Sequence, residues 1–335
     1  MMNYKTVDKD TIFEEIEDFV LHTLSWLLCI NVDIFKKNSD KKYSTSLFDK
    51  KLVKLCRTMS VMELINNMIL QNKSCTQREI YYKLYNVFNE QCQTNRHIKE
   101  VCHILGFPRS SLNIYASEKG CIAGLLMLKK NGQSLNLDDM EYGLMTNENL
   151  LQVAKVESRA HYIIIVEKYS LYQKLCENKI WNVLPSILMT GKGFPDFSTR
   201  KVLSELVNLF DLECVYVGDY DPYGIQIFLS YKEGCKTNEG AIYACKDIKW
   251  AGMCSDDVKL FPKESLLALT KKEKNIIQNM LNDNTERISY QMKMEIFEMD
   301  KRNSKFEIEA VEYMGMDFFI RKYLLRKILR KQWLV

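Results

Sequence analysis

The sequence predicts an α/β protein of more than one domain, a mostly helical N-terminal part followed by a mostly parallel sheet. Three observations carry this. The chain has 335 residues, enough for two domains. Its first 120 or so residues place apolar side chains at helical spacing. After residue 155, apolar β-branched runs of strand length alternate with helical stretches, the pattern of βαβ units.

Composition narrows the classes of function. A hydrophobic content of 47% with a net charge of +4 excludes a highly charged, disordered chain. The 47 basic residues barely outnumber the 43 acidic ones, which is compatible with a polyanionic partner but too small to establish one. Eleven cysteines, dispersed from Cys29 to Cys254 without C-x-x-C spacing, read as reduced thiols of an intracellular protein. The four histidines (His22, His97, His103, His161) form no H-x-x-x-H pattern, which argues against zinc. The acidic stretch "VDKDTIFEEIEDF" is not a secretory signal. "FVLHTLSWLLCINVDIF" is broken by His22, Asn31 and Asp33 and too short to span a bilayer, so no membrane association is expected.

The elements follow in order. Ile12, Phe13, Ile16, Phe19 and Val20 give residues 11–35 an amphipathic helix, part of a helical extension over 1–36 that could dock a partner. The polar "FKKNSDKKYSTS" reads as a linker. Residues 47–125 are mostly short helices and suit a helix-turn-helix or winged-helix domain. From 155 to 335, "HYIIIV" is a strand followed by the helix "EKYSLYQKL". "WNVLPSILMTGKGFPDFSTRKVLSELVNLF" is a helix or strand, a glycine loop and a helix. "ECVYVGDYDPYGIQIFLSYKEG" is strand, turn and helix. The tail "FFIRKYLLRKILRKQWLV" reads as a packed helix with a solvated basic stripe.

Two of these strands end in acid. "HYIIIV" runs into Glu167, and "CVYVG" runs into Asp219 and Asp221. Open α/β sheets collect ligands at the carboxyl ends of their strands, and residues i and i+2 of an extended segment point the same way. Three carboxylates in one crevice repel unless a cation sits among them, and hard oxygen donors suit Mg²⁺. The plainer reading makes these acids helix caps and first-turn residues. "DYDPYG" is not an EF-hand loop, because Tyr223 and Ser230 stand at ligand positions and a strand replaces the entering helix. "TGKGFPD" lacks the spacing of a phosphate-binding P-loop.

"CTQREIYYKLYNVF" (75–88) raises a different chemistry. Thr76 and Glu79 make a capping-box pattern that starts a helix at Thr76. Ile80, Leu84, Val87 and Phe88 then share its apolar face with Tyr81 at the margin, while Arg78 and Tyr82 form an i, i+4 pair on the other side. Core packing suits Tyr81; reactivity suits Tyr82. A tyrosine of pKa about 10 is roughly one part in a thousand phenolate at pH 7, a deficit near 4 kcal/mol. A neighbouring arginine and a metal-bound phosphate could offset much of it. Metal, arginine and tyrosine together make a plausible site for phosphoryl transfer through a phosphotyrosine.

With these residues in view the sequence resembles the meiotic double-strand-break transesterases, eukaryotic relatives of the A subunit of archaeal topoisomerase VI. The matching segments are "REIYY", "RSSLNIYASEKGCIAG", "IVEKYSLYQKL", "TGKGFPDFSTR", "VGDYDPYGIQI" and "IKWAGMCSDDV", in order from about residue 50 to the end. The resemblance implies a CAP-like winged-helix domain carrying Tyr82, followed by a Toprim domain of Rossmann-like topology. It implies that Tyr82 attacks a DNA phosphate and stays on the 5′ end, supported by Arg78, and that Glu167, Asp219 and Asp221 hold Mg²⁺. Arg109, Lys192 and Phe194 fall in motifs the family uses along the DNA path. The family works in the nucleus as a homodimer, each site sharing a tyrosine from one protomer and a metal from the other. Accessory meiotic proteins and a topoisomerase VI B-like subunit are the implied partners on double-stranded DNA.

Two positions depart from the family pattern: Ser110, where a second arginine is common, and Tyr223, where a histidine is. Neither touches the tyrosine, the arginine or the acids, so a competent chain is expected. Three other readings stay open: a type IIB topoisomerase of this kind that also religates DNA, a DNA-binding protein without cleavage, and a Toprim hydrolase that needs no tyrosine.

Overall fold

The computed structural model describes residues 8–36, 45–109, 111–115, 118–130, 132–152, 155–234, 243–260, 262–283 and 285–334. They fall into two compact units, Met1–Ser117 and Glu118–Val335. Among the described residues no helix is long and apolar enough to cross a membrane.

The first unit is built on helices α1 (Lys9–Lys36), α2 (Thr45–Leu70), α3 (Gln77–Lys83) and α4 (Gln91–Leu105), with a short parallel pairing of β1 (Cys75–Thr76) and β2 (Ile114–Tyr115). The helical spacing expected over 11–35 is realised in α1, whose Ile12 and Ile16 are buried. Both ends of the expected linker are helical, since α1 runs through Lys36 and α2 starts at Thr45; the remainder, 37–44, lies outside the described residues. One core joins Val61, Met62 and Ile65 of α2 to Ile98, Val101 and Leu105 of α4, with Ile80 and Phe88 packed in. Burying a side chain the size of Ile80 contributes about 2 kcal/mol, and half-buried Tyr81 packs beside it to seat the short α3.

The second unit centres on a six-stranded sheet in the order β11-β10-β8-β9-β3-β6. Its strands are β3 (Cys121–Gly124), β6 (Leu144–Met145), β8 (Tyr162–Val166), β9 (Ser186–Thr190), β10 (Glu213–Val217) and β11 (Lys249–Trp250). β8, β9, β10 and β11 are parallel, whereas β3 runs antiparallel to both β9 and β6. The mostly parallel sheet thus carries an antiparallel edge. β4 (Leu126–Lys130), β5 (Gln133–Asn136) and β7 (Lys155–Ser158) form a separate antiparallel sheet.

Residues 118–125 were expected with the N-terminal domain, but the structure places Cys121–Gly124 inside the second unit's sheet. Four residues of β3 carry no helical or strand periodicity strong enough to declare their partner.

Helices α5 (Tyr169–Glu177), α6 (Phe197–Phe210) and α7 (Pro222–Lys232) follow β8, β9 and β10, the crossovers that parallel pairing requires. Val166 lies opposite Val217 on one side and Thr190 on the other, so three strands end in register. The loops that follow them leave the sheet at one end. Further on, β12 (Leu267–Ala268), α8 (Lys271–Leu281), α9 (Tyr290–Arg302) and β13 (Ser304–Lys305) lead to a backbone bridge between Phe306 and Tyr220, which places segment 306–309 beside that end.

The expected terminal helix is broken into a wide turn over Phe318–Leu324 and α10 (Leu325–Leu329). Its basic stripe is not wholly solvated, because Lys327 is buried and donates to Gly252 O (2.6 Å), Asp257 (2.7 Å) and Tyr323 Oη (2.9 Å).

Candidate active site

In the first unit the structure separates the two tyrosines. Thr76 caps α3, accepting from the Glu79 N–H at 3.2 Å, while its own N–H donates to Glu79 Oε2 at 2.5 Å. The helix ends at Lys83, sooner than the apolar pattern suggested, and Leu84 turns the chain toward Val87 and Phe88. Arg57 clamps that turn by donating to Val87 O (3.1 Å) with its guanidinium over the Phe88 ring.

Ile80 faces the core, so its neighbours cannot all do so. Tyr81 is half-buried and donates to Asn89 O at 3.4 Å. Tyr82 is 58% exposed. Arg78 Nη2 donates to Tyr82 Oη at 3.4 Å, with the guanidinium carbon 5.8 Å from the ring centre. Arg109 lies in the turn after α4, where its carbonyl accepts from Leu112 and Ile114. Ser110 lies outside the described residues.

In the second unit Glu167, Asp219 and Asp221 all sit at the carboxyl end of the sheet; Glu167 and Asp219 are buried and Asp221 is half-buried. Glu167 Oε2 accepts from Tyr216 Oη (3.0 Å) and from the Asp219 N–H (3.1 Å). Asp219 accepts the Ile308 N–H on Oδ1 (2.8 Å) and faces Lys168 Nζ at 3.1 Å on Oδ2. Asp221 is the N-cap of α7 and accepts from Gly224 N–H at 2.6 Å. The plainer reading therefore holds for Asp221 in part: it is a cap. Asp219 and Asp221, expected to face one site as an i, i+2 pair, take different hydrogen-bond partners, and between them Tyr220 bridges to Phe306.

Burial, then the charges of Asp219 and Asp221, push the Glu167 carboxyl up to about 8. Burial pushes Asp219 up to about 6 against the Ile308 N–H and Lys168, and burial also raises Asp221. Burial works against the Lys168 ammonium, but Glu307, Glu309 and Asp219 outweigh it and hold it charged.

Among the described residues no group of three or more His, Cys, Asp or Glu is arranged to hold a metal ion. The donor set nevertheless fits a hard divalent cation. A Cβ on Gly224 would meet the Asp219 carbonyl oxygen at 2.8 Å, Glu167 Oε2 at 3.0 Å and Asp221 Oδ1 at 3.3 Å, so two carboxylates and a carbonyl line a point that only a glycine leaves open. Burial is the first cause of the raised pKa at all three carboxylates, and a cation bound among them would oppose it.

The glycine loop after β9 belongs to the same end of the sheet. Gly193 N–H donates to Glu167 O at 3.0 Å, and Lys192 and Gly193 both adopt left-handed backbone. Lys192 Nζ lies 4.2 Å from the Tyr169 ring centre, and Lys119 Nζ holds Phe194 O at 3.1 Å while the Phe194 ring is exposed. Tyr223, on the first turn of α7, is exposed.

Residues 162–328 match the family model of the Toprim domain shared by the topoisomerase 6 A subunit and Spo11, and residues 53–114 match that of type IIB DNA topoisomerase. The chain is 32% identical to meiotic recombination protein SPO11-2 of Arabidopsis thaliana over 323 residues, covering 91% of this chain and 83% of that protein. The chain belongs to the family of Spo11 and the topoisomerase 6 A subunit. It is also 30% identical to the DNA topoisomerase 6 A subunit of the same plant over 282 residues, covering 83% of this chain and 66% of that protein. Meiotic recombination protein SPO11-1 of that plant is 28% identical, covering 88% and 84%. Within the family's Toprim domain lie Glu167, Asp219 and Asp221; within the stretch matched to type IIB topoisomerase lie Arg78, Tyr82 and Arg109.

Sequence reasoning did not find Tyr216, Ile308 or the pair Glu307 and Glu309. Tyr216 is an ordinary strand aromatic until the fold turns its hydroxyl to Glu167. Ile308 stands 89 residues from Asp219, with no local signal of that pairing. Lys168 was visible as the residue after Glu167, but without a role.

Proposed function

We propose that the protein is a DNA double-strand-break transesterase that acts in meiotic recombination in the nucleus. The observation that carries the reading is the exposed Tyr82 hydroxyl with the Arg78 guanidinium beside it, on a helix capped and anchored everywhere except at that face. Tyr82 Oη attacks a DNA phosphorus. The phenol proton passes to solvent, the bond from phosphorus to the 3′-oxygen breaks, and that oxygen leaves as a hydroxyl after taking a proton. The protein is left on the 5′ end, and the phosphodiester energy is kept in the new bond. Arg78 orients the phenol oxygen and faces the charge that develops on the phosphate.

Glu167, Asp219 and Asp221 are the residues that would hold Mg²⁺, which supplies charge stabilisation to the phosphate and leaving oxygen when bound. Lys192, Phe194 and Arg109 are placed by this reading along double-stranded DNA, Lys192 and Arg109 meeting phosphates. The first unit is read as a winged-helix DNA-binding domain, and two copies would pair so that Tyr82 of one serves the acids of the other. The similarity to two meiotic recombination proteins over most of the chain favours this reading, with accessory meiotic proteins and a topoisomerase VI B-like subunit as partners.

The test is covalent trapping: full-length protein, end-labelled duplex DNA and Mg²⁺, with and without nuclear extract, then denaturation. A labelled protein band that requires Tyr82 supports the transesterase. A band that persists in Tyr82→Phe would move the nucleophile to Tyr81, and cleaved DNA with free ends would favour a hydrolase.

The similarity to the DNA topoisomerase 6 A subunit favours a second reading, a cleaving chain that also religates DNA after strand passage. Relaxation of supercoiled DNA together with an ATPase partner would select it.

A further inference from the structure

Lys168 follows the first acid of the site, yet its side chain serves the second. Its Nζ lies 3.1 Å from Asp219 Oδ2 and 2.8 Å from Glu307 Oε2, and it also pairs with Glu309 Oε2. One ammonium therefore stands among three carboxylates from two distant parts of the chain. The Ser170 hydroxyl donates to the other oxygen of Glu309 at 3.0 Å, which fixes that partner, and the Ile308 N–H between the two glutamates takes Asp219 Oδ1 at 2.8 Å. The segment 307–309 thus holds both the lysine and the aspartate it faces. Lys305, whose charge acts on Asp221, is occupied by Glu273 at 2.6 Å.

We propose that Lys168 is a positioning residue, a tethered counterion that holds Asp219 while no divalent cation is bound and yields that carboxylate when one is. This rests on the reading of Glu167, Asp219 and Asp221 as a Mg²⁺ site. Two features support it. The ammonium faces Asp219 Oδ2, the oxygen that the Ile308 N–H does not take, so a cation at this carboxylate would compete with the lysine for it. Glu307 and Glu309 give the lysine two carboxylates to keep when Asp219 leaves, so its charge is never stranded in a partly buried place. The acid cluster can then stay folded without metal, and the cost of freeing Asp219 is one ion pair of three.

Competition and support predict opposite signs. Full-length wild type, Lys168→Met and Lys168→Arg are titrated with Mg²⁺ by calorimetry, and their melting temperatures are read with and without the ion. Lys168→Met is expected to melt lower without metal, to bind Mg²⁺ about tenfold more tightly because the competing positive charge is gone, and to recover its melting temperature with Mg²⁺. Lys168→Arg keeps the charge and is expected to stay within about twofold of wild type.

Unchanged or weaker Mg²⁺ binding by Lys168→Met would make the lysine a mere strut and overturn the proposal alone. A wild type that takes up no Mg²⁺ would overturn the metal reading and this inference together. If Lys168→Met does not fold, Glu309→Gln decides. Removing one of the lysine's other partners tightens its hold on Asp219, so Mg²⁺ binding should weaken about threefold; unchanged or tighter binding sinks the idea.

Discussion

Arg78 and Tyr82 lie one helical turn apart, and the arginine donates to the tyrosine hydroxyl at 3.4 Å on the open side of α3. The same helix turns Ile80 fully inward, so the position of Tyr82 is set by packing on the opposite face. Because Tyr82 contributes little to the core, Tyr82→Phe is expected to change unfolding free energy by less than about 0.5 kcal/mol. It is also expected to abolish the covalent protein–DNA adduct. Thermal melts and the trapping assay, run on one preparation, check both halves.

Arg78 should behave differently. Arg78→Ala removes the donor to Tyr82 Oη but leaves the nucleophile, so adduct formation should fall by about 10²-fold without vanishing. Arg78→Lys restores a charge but not the planar fork and should recover only part of the loss. A rate equal to wild type in Arg78→Ala, measured in single-turnover cleavage, would remove the arginine from the chemistry.

How much of this was legible in sequence depends on the range of the contact. The capping box, the exposed Arg78 and Tyr82 pair and the strand-then-acid pattern at Glu167 and Asp219 are local, and each was readable from spacing of four residues or fewer. The parallel order of β8, β9 and β10 follows from alternating strands and helices. Not readable was the return of Ile308 to Asp219, nor the sorting of β3 into the second unit, because each is fixed by tertiary pairing between segments with no local marker. The separate partners of Asp219 and Asp221 were unreadable for a related reason: alternation along an extended segment sets a direction, but Lys168 holds one carboxylate and the α7 cap the other.

His97 gives the first unit a pH dependence. It packs 5.3 Å from the Phe88 ring and shares a 3.1 Å hydrogen bond with Thr58. Burial pushes its imidazole below the usual 6.5, with Arg57, Lys54 and Arg96 adding to this and Glu100 opposing it. The unfolded chain therefore binds the proton first. The contribution is fully present above pH about 6.5 and is lost as pH falls from there toward the folded value. Amide exchange at Ile98 should accelerate by about threefold at pH 5.5 relative to pH 7 after correction for intrinsic rates. In His97→Gln that difference should disappear.

Thr76 orders the helix that presents the tyrosine. Thr76→Ala removes the side-chain half of a reciprocal cap, a loss of about 1 kcal/mol. The expected phenotype is a modestly less stable first unit with slowed but Tyr82-dependent adduct formation, recovered in part by Thr76→Ser. Denaturant melts alongside trapping would separate that result from a direct role in DNA contact, which would reduce cleavage without touching stability.

Gly218 tests whether the acid end of the sheet must stay this tightly built. A Cβ there would stand 2.5 Å from Glu167 Oε2 and 2.5 Å from the Tyr216 ring, closer than any real Cβ contact. The Tyr216 ring is itself fully buried against Trp250 and Phe228, so it cannot step aside. Glu167 is the more mobile of the two neighbours, and Gly218→Ala should displace it from the Tyr216 hydroxyl. The variant is expected to unfold about 1–3 kcal/mol more easily, as overpacked sites do. Its Mg²⁺ uptake, measured by calorimetry, should fall well below wild type, because the displaced carboxylate no longer meets Asp221 at the point Gly224 leaves open. Tyr216→Phe, which deletes only the hydroxyl and keeps the packing, should retain most of that uptake. Equal Mg²⁺ binding by Gly218→Ala and wild type would mean that Glu167 is not a ligand in this chain.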